Sequence, residues 1–374
     1  MYFIQEFLVI NYNKYLSEKY IVTMKIHNLL IVTVLVLILG SCGNKTTSDS
    51  NFFTISIKDQ KKGYTTSDMV SVSVQNKKNK PVDSVAYALN TNRLSSSEEL
   101  SETNIPLQNL RLGAQTITAT IYSEGESFVA EEKIIVLSSI TPQLYTYKIL
   151  ETYPHDIKAY TQGLEFINDT LYESTGTYKI SSLRKTNYRT GEVLQQIDLA
   201  DSYFGEGLTI LNDKIYQLTW RENTGFIYNL SDMKKTGTFV YGKSREGWGL
   251  CNDGAKIYKS DGTQKIWTLD ANTLAEVDHI ELYTNTSKIP KVNELEWVEG
   301  KIYANIYERD AIAIVNPSNG AVEGVIDLSD LKSKVTQHKD LNVLNGIAYK
   351  GEENILYITG KNWDKLFKVE IVLK

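Results

Sequence analysis

Cysteine, histidine and proline are scarce in this 374-residue chain, at two, four and six residues. Two cysteines, Cys42 and Cys251, cannot make a disulfide scaffold, and the scattered histidines form neither a zinc-ribbon spacing nor an HExxH pair. Positive charge is not in surplus either: 40 Lys and Arg face 45 Asp and Glu, a net charge of -5, with no basic run. Nucleic acid is therefore not expected as a partner. What remains, 42% hydrophobic and 23% charged, is the composition of a globular chain long enough for about two domains.

Long apolar runs are limited to residues 26–39, IHNLLIVTVLVLIL, preceded by Lys25 and followed by Gly40-Ser41-Cys42. The run is short for a spanning helix and has the anatomy of a secretory signal. Leu39-Gly40-Ser41-Cys42 resembles a bacterial lipobox, in which the cysteine is lipidated and becomes the new N-terminus. Residues 1–41 are thus expected to be a signal peptide, with Met24 as an alternative start, and an uncleaved membrane anchor as the other reading. Either makes the protein exported: it would sit in the cell envelope, lipid-anchored through Cys42 to a bacterial membrane, periplasmic or surface-exposed.

After a polar tether at 42–51, residues 52–140 alternate apolar and polar positions in short runs: FTISI (53–57), VSVSV (70–74), SVAYAL (84–89), TITATIY (116–122) and KIIVL (133–137). Short strands at this spacing predict a small immunoglobulin-like β-sandwich, a spacer or docking module.

Internal repetition dominates residues 141–374. A polar or aromatic residue, Gly-Leu or a variant, a short strand, a turn and an apolar-Tyr pair recur from Gln162, Glu206, Trp248, Asn293 and Asn345. These leads are 44, 42, 45 and 52 positions apart, the length of a four-stranded blade. The fold class expected is all-β, with a five-bladed β-propeller following the sandwich. The fifth repeat ends one strand short, and LYTYKIL (144–150) is expected to supply that outer strand and close the ring, removing a bare edge.

If each Gly-Leu segment is an innermost strand, the five leads ring the central channel. The following strand is antiparallel and returns to the same face. Four residues after each repeat tyrosine lie Gly176, Trp220, Gly262, Tyr307 and Lys361, a second ring there. A carboxylate, an amine, three carboxamides and several aromatics would then share one mouth, and polar leads at a buried axis are costly unless used. The repeat tyrosines (172, 216, 258, 303 and 357) are read as inter-blade core, and Cys251 as a small buried hydrophobe. His155 and Asp156, adjacent on a strand, point to opposite faces and are read as structural.

Tyr160-Thr161-Gln162-Gly163-Leu164, Phe204-Gly205-Glu206-Gly207-Leu208, Gly247-Trp248-Gly249-Leu250, Asn293-Glu294-Leu295-Glu296, Leu344-Asn345-Gly346-Ile347 and Thr359-Gly360-Lys361-Asn362-Trp363 resemble the plant-type (papaya-like) glutaminyl-peptide cyclotransferase family over residues 145–374. The resemblance implies a five-bladed propeller, conversion of N-terminal glutamine to pyroglutamate with loss of ammonia, and no cofactor or catalytic zinc. It places substrate-site residues on Tyr160 (usually Phe), Gln162, Phe204, Glu206, Trp220, Trp248, Asn293 and Lys361. Tyr307 stands where the family more often has Trp, which bears on substrate preference.

For that reaction Glu206 is assigned the proton traffic, and Lys361, Asn293 and Gln162 the developing oxyanion and the carboxamide. Trp248, Trp220, Phe204, Tyr160 and Tyr307 would exclude water, with Asn345 as a secondary substrate contact. Peptides or proteins with N-terminal glutamine would be the substrates of a monomeric enzyme. The rivals are a non-catalytic propeller binding peptides or sugars, and a metal-dependent lactonase-like propeller, which the lack of an acidic ligand ring disfavours.

Overall fold

The computed structural model describes residues 52–97 and 100–374, so Cys42 and the apolar leader lie outside it. Strands make up nearly all of its regular structure; Leu331–Lys334 is a single 3-10 turn. Among the described residues no helix is long and apolar enough to cross a membrane.

Period-two patterning builds the first region. Gly113–Ser123 alternates buried and more exposed side chains along its length, putting Ile117, Ala119 and Ile121 on one face. It belongs to a sheet ordered Tyr64–Thr65, Glu126–Leu137, Gly113–Ser123, Ser84–Leu89, Asn92–Ser97. A second sheet, Phe53–Ile57, Met69–Asn76 and Thr103–Pro106, shares one core with it around Phe53, Val72, Tyr87 and Phe128. That core also takes in Tyr283 and Ala321 from the C-terminal region. Arg111 reaches across the same boundary to Asp278, with Nη2 2.7 Å from Oδ2. The first region is therefore packed on the second and does not hang from it as a loose spacer.

Each repeat from Gln162 onward folds as an antiparallel run of strands. The first comprises Thr161–Ile167, Thr170–Thr175, Ser182–Asn187 and Glu192–Asp198. The second comprises Gly205–Leu211, Lys214–Thr219, Gly225–Asn229 and Lys235–Phe239, and the third Leu250–Asn252, Ile257–Ser260, Lys265–Leu269 and Glu276–Glu281. The fourth is Val292–Val298, Lys301–Ile306, Ala311–Val315 and Val322–Asp327. In the fifth, Leu344–Ala348, Ile355–Gly360 and Lys365–Leu373 are completed by Gln143–Pro154, antiparallel to the last strand from Lys365↔Pro154 to Leu373↔Tyr145. Gln143–Tyr145 also pairs, in parallel, with Gly324–Ile326 of the fourth unit. Each unit's first strand touches the first strand of the next, and the fifth touches the first, so these inner strands close a ring.

The glycines after the leads permit that closure. A Cβ on Gly207 would lie 2.6 Å from the Gly249 Cα, and one on Gly249 would lie 2.2 Å from the Asn293 carbonyl oxygen. Innermost strands have one edge without a ladder partner, and their buried N–H groups need acceptors. Three glutamates serve them. Glu294, where the other four repeats have glycine, accepts from Leu164 N at 3.4 Å and Ile347 N at 2.9 Å. Glu296 accepts from Tyr349 N at 2.7 Å, and Glu165 from Ile210 N at 3.0 Å. Burial holds all three carboxyls above the usual range, Glu165 at about 8. Four of the repeat tyrosines are buried between units, while Tyr303 is partly exposed.

Candidate active site

At the end of the ring where the inner strands begin lies a cavity of about 220 Å³. Its walls are Tyr160, Gln162, Phe204, Glu206, Trp220, Trp248, Asn293, Tyr307 and Lys361. Residues separated by two hundred positions meet there because each repeat delivers its lead to the same place and its returning strand to the place beside it. Backbone bonds set the two rings against each other: Trp220 N donates to Phe204 O at 3.0 Å, and Gly176 N to Tyr160 O at 2.8 Å. Asn345 is the exception among the leads. It is wholly buried behind the wall, donating Nδ2–H to Thr161 O (2.9 Å) and Gln162 Oε1 (3.3 Å), so it props Gln162 and does not line the cavity.

Polar groups form the floor and aromatics the rim. Gln162, Glu206, Asn293 and Lys361 are each no more than 4% exposed, whereas Tyr160, Phe204, Trp220, Trp248 and Tyr307 are half-buried. The rings brace one another edge to face, with Trp248 on Tyr307 at 5.6 Å and Tyr160 on Phe204 at 6.0 Å. Glycines in the second ring make room for them. A Cβ on Gly176 would fall 2.3 Å from the Phe204 ring, and one on Gly262 2.5 Å from the Trp248 ring, at a φ of +75°.

Gln162 donates Nε2–H to Glu206 Oε1 at 3.0 Å. One of its two amide N–H groups is thus spent on orienting the carboxylate. Glu206 Oε2 and Asn293 Oδ1 are buried acceptors without a protein partner, an expensive state that a ligand donor would relieve. Lys361 Nζ lies over the rings of Tyr160 (4.8 Å) and Tyr307 (5.4 Å).

Burial drives the titration of both charged groups. It raises the Glu206 carboxyl well above its ordinary value, against the pull of Lys361 and with the help of Glu246 and Glu222. It lowers the Lys361 ammonium to about 8, against the attraction of Glu206. Desolvation outweighs mutual attraction in each case, so an acid and an amine normally far apart in proton affinity are drawn together.

Glu246 stands two residues before the lead Trp248, as Tyr160 and Phe204 stand before theirs, and escaped the sequence reading. Its Oε2 accepts both the Trp220 and the Trp248 indole N–H, at 2.8 and 2.9 Å, and Arg221 binds its Oε1 at 3.0 Å. One carboxylate thereby fixes two rim tryptophans. His155 and Asp156 have separate structural partners, Glu173 at 3.1 Å and Arg184 at 2.8 Å. Cys251 is buried, its thiol pushed up by desolvation and nearby acids.

The glutamine cyclotransferase family signature matches residues 118–371. A glutaminyl-peptide cyclotransferase of Arabidopsis thaliana is 40% identical over 230 residues, covering 60% of this chain and 71% of that protein. The crystal structure of Myxococcus xanthus glutaminyl cyclase superposes with a TM-score of 0.57 at 33% identity, over 62% of this chain and 99% of that one.

Proposed function

The chain belongs to the glutamine cyclotransferase family and is a glutaminyl-peptide cyclotransferase; we propose that it works through the Glu206–Lys361 cavity on peptides with N-terminal glutamine. The observation that carries the assignment of the site is the pair of unpartnered buried acceptors, Glu206 Oε2 and Asn293 Oδ1, on residues that line one cavity. An N-terminal glutamine brings a primary amine and a primary amide, two donors a few bonds apart.

The substrate's α-nitrogen attacks its own γ-carboxamide carbon, so the reaction is already unimolecular and the protein supplies orientation, proton transfer and charge. Glu206 Oε2 takes the proton that the amine loses as the C–N bond forms. The carbonyl oxygen gains negative charge, which Lys361 faces from its seat between Tyr160 and Tyr307. As the tetrahedral species collapses, Glu206 returns the proton to the amide nitrogen, which leaves as ammonia. Gln162 holds the carboxylate, and the aromatic rim keeps out the water that would otherwise hydrolyse the amide.

In this reading the five four-stranded units are blades of a five-bladed propeller and the N-terminal two-sheet region is an immunoglobulin-like sandwich; the repeat spacing and closed inner ring support the first, and strand number and patterning the second. Export and anchoring through Cys42, with action as a monomer, rest on the lipobox-like stretch and the composition alone. Incubation with a glutamine-initiated peptide tests the activity: release of ammonia with loss of its mass from the peptide is expected, and binding without conversion would overturn it.

A further inference from the structure

Beyond Trp248 the cavity wall becomes the side of a second depression, a groove of about 500 Å³ that shares Trp248 with the candidate site and is also lined by Glu246, which holds that indole. Trp248, which lines both, forms the partition, and Gly262 makes room for its ring, since a side chain there would occupy the ring's space. Peptide bound by its first residue must leave the pocket, and an extended chain advances about 3.3 Å per residue. The groove beside the partition has room for the next few.

Its charges are unevenly engaged. The acidic groups are occupied: Glu246 by two indoles and Arg221, and Asp261 by the Trp267 indole at 2.7 Å and by Thr263. Lys265 lies over the Trp267 ring at 5.3 Å and feels Glu281, which Gln264 also binds. Lys243 and Arg245, by contrast, are exposed and their side chains meet no carboxylate among the described residues. Two cations without a carboxylate partner therefore stand along a groove whose own acids are already hydrogen-bonded.

We propose that this groove is the subsite for the residues following the N-terminal glutamine and that Lys243 and Arg245 favour acidic side chains there. The proposal rests on the cyclotransferase reading of the adjoining pocket and names the peptide class it prefers. Trp248 supplies an apolar face for the backbone between those side chains, and the cations supply the discrimination.

The test compares the full chain acting on glutamine-initiated peptides that carry Glu, Ala or Lys at the second and third positions. Acidic peptides are expected to show a kcat/KM about three- to ten-fold above basic ones, as two exposed charge pairs allow. The difference should lie mainly in KM and shrink at high salt, as the screening length falls. K243E/R245E should invert the order, and the milder K243Q/R245Q should flatten it. Equal rates for all three peptides, or an order unchanged in both variants, would overturn the subsite. If no peptide were converted at all, the activity would be wrong but the groove still testable. Calorimetric binding of the same peptides would then have to show the acidic preference and its inversion, and no preference would sink the proposal.

Discussion

Gln162 Nε2 lies 3.0 Å from Glu206 Oε1, while Oε2 of the same carboxylate is buried and unpartnered. The carboxamide fixes one oxygen and leaves the other to face the cavity. This asymmetry is what a proton carrier needs, because a carboxylate free to rotate would spend its lone pairs on several geometries.

Gln162→Leu keeps the volume and removes that tether. Turnover should fall by about ten-fold or more while KM changes little, because orientation in the transition state is lost and not uniform binding. Steady-state kinetics decide it; a raised KM at unchanged kcat would make Gln162 a substrate contact.

The pH dependence of kcat should be bell-shaped. Glu206 must be ionised to accept a proton, and its pKa is raised, so activity climbs with pH through a value well above the ordinary carboxylate range. Lys361 must be charged, and burial brings its pKa down to about 8, so activity falls as pH rises past that point. The substrate amine titrates in the opposite sense and cannot create the alkaline loss. Lys361→Arg, charged at all accessible pH, should move the alkaline limb upward if any activity remains; a limb that stays near 8 would assign it elsewhere.

Glu294 should matter for stability and not for chemistry. Glu294→Gly restores the residue of the other repeats but strips the buried amides of Leu164 and Ile347 of their acceptors. A loss of about 2 kcal/mol or more is expected in denaturant unfolding. Glu294→Gln retains one acceptor oxygen and should cost less. Full stability in Glu294→Gly would mean that the axis satisfies those amides by other means.

The repeat made much of this site legible in the sequence. Gln162, Glu206, Trp248 and Asn293 could be aligned by their Gly-Leu or, for Asn293, Glu-Leu neighbours, and Trp220, Tyr307 and Lys361 by their distance from the repeat tyrosine, because the repeats reuse one backbone path. The periodicity carries no information on where a side chain turns, which is why Asn345 aligned with the leads yet points behind Gln162. Glu294 carried a signal, an acid in a glycine position, but its purpose depends on amides one and two units away. Glu246 shares the offset of Tyr160 and Phe204 from their leads but not their aromatic type, and only folding brings both tryptophans to it. The strands Tyr64–Thr65, Asn92–Ser97 and Thr103–Pro106 are short or polar, so alternation could not reveal them. Tyr283 and Ala321 in the first region's core reflect long-range packing that local patterns do not encode.

Glu206→Gln is close in size and shape but cannot accept the amine's proton. Followed by mass spectrometry on a glutamine-initiated peptide, wild-type protein should remove one ammonia per peptide, and the variant should do so at least about a hundred-fold more slowly with its fold intact. A near-normal rate in the variant would contradict the role of the buried carboxylate on which the account depends.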